Sequence, residues 1–375
     1  MYIYKTYYIY VLYLIIFLIG CKEAPSNLGI KNEYGLSESP NYCTPQIYSV
    51  NKLISPPNID GVILKDEWDK VPWSSSFVSE IKNGNNNPSH NTKFKLGIIN
   101  DSLYVSAIVF DKHICATNDI CQSYFFDDNF LEFFIDVDED EYDYVVIKIN
   151  AFGNLCGEYR QRNHNEPLRR FSWLEICGAK CSVFVDGTIN NPKDTDNYWS
   201  IECALPMNQK LDTLTLLKPK DIWNVNVQRT YWPSTVVSGL YKKILNPKTG
   251  KKYPGEKWLW SFLEENDINT PELWGEWHFN TLNKTNKRDH QLQFERQVKW
   301  ELRNIYYAQK FHLKLHRKYA RKTAALKNVG LKPNKLLYNP TIKAKADKYK
   351  AFIFDSSTRT RFYINQDGKV WKEKH

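Results

Sequence analysis

The chain contains no Cys-x-x-Cys pair to seed a zinc site. It also lacks a nucleophile elbow and a phosphate-binding glycine loop. Nothing specifies the pair of carboxylates that a glycosidase sets across a scissile bond, although acidic residues are plentiful. Hydrolysis of O-glycosyl bonds is therefore the second reading, behind binding without catalysis. No apolar run reaches the roughly 18 residues of a membrane span.

What is abundant is aromatic. Of 375 residues 15% are Phe, Trp or Tyr, with 12 Trp and 24 Tyr. Such residues favour strands and also make flat binding surfaces. The formal net charge of +9 is unevenly spread. From Thr281 onward there are 24 basic and 7 acidic residues, a net of +17. The remainder holds 51 − 24 = 27 basic and 42 − 7 = 35 acidic residues, a net of −8. A basic tail invites a nucleic-acid reading, but the amino end points to export.

That end carries Lys5 and then Val11-Leu-Tyr-Leu-Ile-Ile-Phe-Leu-Ile19, a short run that suits a signal peptide over residues 1–20. It closes on Leu18-Ile-Gly-Cys21, which resembles a bacterial lipoprotein lipobox with Cys21 as the lipidated residue. Acyl chains contribute about 0.8 kcal/mol per buried CH₂, so several hold a protein stably on a membrane. Lys22-Glu23 is a weak version of the acidic export signal in some lipoproteins of the Bacteroides group. The expected location is the outer membrane, facing periplasm or cell surface, with no nucleic-acid partner. Residues 21–46, rich in Asn, Ser, Pro and Gly, read as a tether. Without Cys21, seven of the 8 cysteines remain, an odd number that cannot all pair. Cys115/Cys121 and Cys177/Cys181 are close in sequence.

From Ile47 short strands alternate with turn signals, the pattern of an all-β sandwich of antiparallel sheets, immunoglobulin- or jelly-roll-like. In Phe130–Asp136, Leu131, Phe133 and Ile135 share one face, while Phe130, Glu132, Phe134 and Asp136 share the other. Tyr144–Asn150 pairs with it across an acidic turn, and Lys148 and Asn150 share a face. Val225 and Val227 point inward; Asn224, Asn226 and Gln228 point outward. Only Pro206–Leu217 suits a short helix within this region. An acid, a base and an amide thereby stand on neighbouring strands. The same residues also fit a plain cross-strand surface pair, worth about 0.2–1 kcal/mol.

Ile59-Asp-Gly-Val-Ile-Leu-Lys-Asp-Glu-Trp68, Leu103-Tyr-Val, Asp127–Asp136, Asp186-Gly-Thr, Trp199-Ser-Ile-Glu, Trp223-Asn-Val-Asn, Trp260-Ser and Trp274-Gly follow one another in order. Residues 47–281 thereby resemble family 9-like carbohydrate-binding modules. The resemblance implies a β-sandwich that binds poly- or oligosaccharides, sometimes with structural calcium. It matches Glu132, Lys148 and Asn150 to the family's polar sugar ligands. Binding members hold the sugar between two Trp rings. Here one position is Phe126, and the loop Glu264–Pro271 that should carry the other has no aromatic. The family cation is Arg, a planar fork, where this chain has the point charge of Lys148. Trp173, Trp232 and Trp260 are candidate replacement walls, each equally a core residue. A third reading follows from these losses, a structural lipoprotein that kept the fold without the sugar site.

Asp136, Asp138 and Asp140 suggest a calcium loop. An EF-hand is excluded, because Glu141 and Ile147 stand where Gly and Glu are required. Residues 282–375 read as a basic α+β extension. An amphipathic helix over Asp289–Lys322, with Asp289 as N-cap and Phe294, Val298, Leu302 and Ile305 as its stripe, precedes a short hairpin turning at Asp367-Gly368. So small a unit is expected to bury little alone and to dock on the sandwich.

Overall fold

The computed structural model describes residues 44–79, 88–117, 128–162, 172–174, 176–207, 210–211, 214–215, 221–263, 267–280, 286–327, 329, 331 and 338–375. Cys21 and the expected signal peptide, Phe126 and Cys121 lie outside them. Among the described residues no helix is long and apolar enough to cross a membrane.

The strands in chain order are β1 (Ile47–Lys52), β2 (Val78–Ser79), β3 (Thr92–Ile99), β4 (Ser102–Phe110), β5 (Phe130–Asp136), β6 (Asp143–Asn150) and β7 (Leu155–Gln161). Then come β8 (Ser172–Leu174), β9 (Lys180–Asp186), β10 (Tyr198–Pro206), β11 (Lys210–Leu211), β12 (Leu214–Thr215) and β13 (Ile222–Tyr231). β14 (Ser234–Val237), β15 (Leu240–Lys243), β16 (Glu256–Leu259) and β17 (Gly275–Phe279) complete the first region. One sheet runs β8-β7-β6-β5-β13-β17-β1, the other β1-β3-β4-β10-β9. β1 belongs to both. Its residues Ile47–Val50 pair in parallel with Glu276–Phe279, and Asn51 and Lys52 pair in parallel with Gly97 and Ile98.

The fold is a β-sandwich, and alternation places its core. Leu131, Phe133, Ile135, Ile147, Ile149, Trp223, Val225, Val227 and Trp277 of one sheet meet Phe94, Leu96, Val105, Ala107, Trp199 and Ile201 of the other. Each such side chain contributes about 1.5–3 kcal/mol by leaving water. Cys181 and Cys203 stand directly opposite on β9 and β10 and form a disulfide. Cys181 thus pairs across the sheet and not with its sequence neighbour Cys177, and Cys115 carries a free thiol. Pro206–Leu217 is not helical where described. Lys210 pairs with Thr215 and Leu211 with Leu214 in an antiparallel ladder.

The carboxyl-terminal region is larger than a helix and a hairpin. Its helix spans Asn286–His316, so Asp289 lies inside the first turn and is not the cap. A second, short helix covers Thr323–Lys327. Four strands, β18 (Thr341–Ala344), β19 (Tyr349–Asp355), β20 (Thr360–Asn365) and β21 (Val370–Lys374), form one antiparallel sheet. Thr341 and Lys343 at its outward positions hid the first of them from a hydrophobic reading. Val298, Leu302 and Ile305 of the helix pack on Ala351, Ile353, Phe362, Ile364 and Val370. The expectation that this region buries little alone is thus corrected, since its apolar centre is built from its own residues.

The region meets the sandwich through charge. Arg303 is fully buried and bonds Glu141 and the Gly368 carbonyl, the latter at 2.7 Å. Arg162 forks onto Glu272, which also accepts from Tyr307. Arg296 donates to Glu276 at 2.8 Å, and His278 lies 2.6 Å from the same carboxylate. Lys299 donates to the Glu139 carbonyl at 2.9 Å, and Lys369 pairs with Asp140. Burial opposes ionisation of Glu272 and Glu276, yet Arg162 and Arg303 hold the first at about 2, and His278 and Arg296 hold the second at about 2.

Both carboxylates are depressed from 4.5, so the stability they supply is present above pH about 4.5 and lost as pH falls toward 2. Asp140 has the opposite sign: burial and Asp138 push it up to about 6, so it favours the fold as pH falls from about 6 to 4. The urea midpoint is therefore expected to hold down to about pH 4.5 and drop steeply below pH 4. A midpoint unchanged between about pH 5 and 3 contradicts this. Arg303→Ala strands Glu141 and should cost about 3–5 kcal/mol in urea unfolding; a loss below about 1 kcal/mol would show the contact to be peripheral.

Candidate functional site

The outward face of the first sheet carries a row of charge. Register sets Glu132 of β5 opposite Lys148 of β6 and Gln228 of β13, with Phe130 opposite Asn150. β7 adds Glu158 and Arg160 beside β6. The Lys148 ammonium lies 2.5 Å from Glu158 and 3.5 Å from Glu132. Gln228 donates to Glu132 at 2.6 Å, and Arg160 to Glu158 at 2.8 Å. Two carboxylates thus face two cations and an amide. Phe130 lies 5.8 Å from the Lys148 ammonium and Phe134 5.8 Å from the Arg160 guanidinium. Closure matters here, because an unpaired ion in such a place costs several kcal/mol.

The row is buried. Glu132 is 4% exposed, and Lys148, Asn150 and Glu158 are each 0%. A solvent-facing Glu132 is therefore corrected, and substitutions here act on folding as well as on any ligand. Asn150 is not joined to Glu132. Its amide donates to Asp128 at 3.2 Å, and its carbonyl accepts from Phe152 and Asn154, which shapes the turn after β6.

Trp232 continues the same alternation one step beyond β13. It is half-buried, its backbone N–H donates to Asn129 at 2.7 Å, and the Lys243 ammonium sits 4.0 Å from its ring. Its indole N–H has no hydrogen-bond partner among the described residues. Trp260 is misplaced as a wall. It is 2% exposed and faces Phe94 at 5.4 Å, between the sheets and away from Glu132. Its ring belongs to the same core cluster as Trp258, Val227 and Phe94. The Trp173 side chain lies outside the described residues. Glu158, Arg160 and Gln228 were not singled out from sequence; the alternation Glu158-Tyr-Arg160 beside Lys148 was the signal for the first two.

Several of the recurring sequence motifs prove to be structural. Glu202 accepts the Trp68 indole N–H at 2.7 Å and the Gly61 amide at 3.2 Å, and Ser200 donates to the Gly61 carbonyl at 2.7 Å. Burial pushes Glu202 up to about 7 against those donors. Gly61 has φ +88°, and a Cβ there would strike the Phe184 backbone. Asp196 similarly ties Thr188 and Ile114 across the Asp186-Gly-Thr turn. These residues bind the chain to itself.

Oxygens of Asp136, Asp138 and Asp140 gather within 4.8 Å. Asp136 accepts the Glu139 and Glu141 amides at 2.8 and 2.9 Å, and Asp140 accepts Tyr142 and pairs with Lys369. Burial and the neighbouring acids drive Asp136 well up. The donor set does not fit calcium as it stands, since a lysine supplies the cation and the backbone takes the oxygens of Asp136.

No family model and no curated protein matches this chain. Among solved structures it is similar to a presumed carbohydrate-binding protein from Bacteroides uniformis, at 14% identity and TM-score 0.44, over 63% of this chain and 100% of that one. It is also similar to a family 9 carbohydrate-binding module from Caldicellulosiruptor kristjanssonii. The cellotriose complex aligns at 18% identity and TM-score 0.36, over 64% of this chain and 100% of the module. The glucose complex aligns at 16% identity and TM-score 0.36, over 64% and 98%.

Lys148→Met leaves two buried carboxylates facing each other and should lower stability by about 3–5 kcal/mol. Glu132→Gln keeps the shape and a Gln228 contact and should cost far less. Equal losses in thermal or urea unfolding would contradict the network as drawn.

Proposed function

We propose that this is an exported, lipid-anchored carbohydrate-binding protein that assists polysaccharide capture and catabolism, with its sugar site on the outward face of the first sheet. The observation that carries the reading is Trp232, a half-buried ring on the same face as the charged row, whose indole N–H is turned inward with no hydrogen-bond partner among the described residues. A pyranose offers an apolar face for such a ring and hydroxyls that both donate and accept. Of the charged row, Arg160 is the member that reaches the surface as a donor, and the buried Glu158, Lys148, Glu132 and Gln228 hold it in place from beneath. Preorganised groups lose little freedom on binding. With one ring wall, affinity is expected near about 0.1–10 mM.

The eight motifs in order over residues 47–281 support the same reading, and the leader ending at Cys21 supports the anchor. Hydrolysis is less favoured, because Glu132 and Glu158 both answer Lys148 and do not flank an open space. The full burial of the row favours one competitor, a structural lipoprotein whose polar face only holds the sheet.

Residues 22–375 titrated with cello-oligosaccharides and a wider glycan panel should show millimolar binding, no new reducing ends, and at least tenfold loss in Trp232→Ala. No binding across the panel, or Trp232→Ala binding like the parent, would leave the structural reading. Separately, Cys21→Ser should release the protein from the membrane fraction or leave its precursor uncleaved; normal processing and fractionation would remove the anchor.

A further inference from the structure

The carboxyl-terminal sheet has a second face that its fold does not use. Tyr349, Ala351, Ile353, Phe362, Ile364 and Val370 point to the helix and fill that region's core. A sheet packed on one side normally turns polar residues to the other. Here that other side carries Phe352, Phe354, Tyr363 and Trp371. Register aligns Phe352 with Tyr363 and Tyr363 with Trp371, so three rings cross three strands in one row. Their centroids are 5.6 and 5.1 Å apart, and Tyr363 and Trp371 lie 11° from parallel. Phe354 is 48% exposed beside them.

Cations are interleaved with these rings. The Lys350 ammonium lies 5.1 Å from the Tyr363 ring and 4.9 Å from the Trp371 ring. Lys343 lies 5.8 Å from Phe352, and Arg361 lies 5.4 and 5.6 Å from Phe352 and Phe354. Lys343 and Lys350 are exposed, and the buried Nε of Arg361 has no hydrogen-bond partner among the described residues. The acid on this face, Glu373, accepts from the Trp371 indole at 3.0 Å. Rings outside the helix-facing core, with the exposed Lys343 and Lys350 and one acid, Glu373, opposite Arg361, fit a polymer that has flat apolar faces and carboxylates.

We propose that this face binds an acidic polysaccharide, a chain of uronic-acid type, with pyranose faces against Phe352, Phe354 and Trp371. Its carboxylates pair with Lys343, Lys350 and the guanidinium fork of Arg361. The site is separate from the sandwich face and stands or falls without it. A neutral glycan would find the rings but no use for the charge. A nucleic acid would satisfy both, but the leader at the amino end directs the chain away from it.

Polygalacturonate is the probe, with cellohexaose as the neutral control, on the full chain in detergent at low salt. The expected result is binding of polygalacturonate that weakens as salt rises. Lys350→Gln and Arg361→Gln should each reduce it at least tenfold while melting temperature and any cellohexaose binding stay unchanged. Both side chains reach the surface, so folding should survive; Trp371→Ala then tests the ring contribution. The proposal is overturned if polygalacturonate does not bind, if the three variants bind it like the parent, or if a single-stranded oligonucleotide or anionic phospholipid vesicles bind this face more tightly. Loss of cellohexaose binding in Trp232→Ala with polygalacturonate binding intact would separate the two sites.

Discussion

Charge removed from water must be answered by charge, and that requirement organises this chain in two places. On the sandwich face Lys148 stands between Glu132 and Glu158, with Arg160 closing one side and Gln228 the other. At the sandwich edge Arg162 and Arg303 answer Glu272 and Glu141. Removing the shared cation Lys148 or Arg303 leaves buried carboxylates under-compensated, which is far more damaging than losing an exposed pair. The first set fixes the registry of β5, β6, β7 and β13, because a slip of one residue would turn these ions into the apolar core. The second ties the carboxyl-terminal region to the sandwich.

The two regions thereby share one body with distinct surfaces. The acidic turn after β5 is neutralised by Lys299 and Lys369 from the carboxyl-terminal region. Of the basic residues of this region, Lys343, Lys350 and Arg361 lie among the row of rings on β19, β20 and β21. A polar face with one half-buried tryptophan and a basic aromatic face are different chemistries. A neutral sugar suits the first and an anionic polymer the second.

Much of the fold could be read from alternation. Leu131, Phe133 and Ile135 against Phe130, Glu132 and Phe134 set which side of β5 is core, and Val225 and Val227 did the same for β13. The site was harder. Alternation gives the face of a residue and not its depth, so Glu132 and Lys148 were correctly paired across strands but not placed out of reach of water. Trp260 shows the same limit, since a lone tryptophan near a turn fits a core and a wall equally. Gln228 entered through the pairing of β13 with the distant β5, which no local pattern reveals. In the carboxyl-terminal region β18 was missed because it is only four residues long, with Thr341 and Lys343 at its outward positions.

The central claim is that a sugar docks at Trp232 beside the charged row. Selective labelling of the tryptophan indoles would follow it directly by NMR during titration with a cello-oligosaccharide. The Trp232 indole N–H, which has no partner in the protein among the described residues, should shift progressively toward saturation in the millimolar range (about 0.1–10 mM). The signals of the core residues Trp223, Trp260 and Trp277 should stay in place. A titration in which the Trp232 signal stays fixed while the protein binds the sugar would contradict the account.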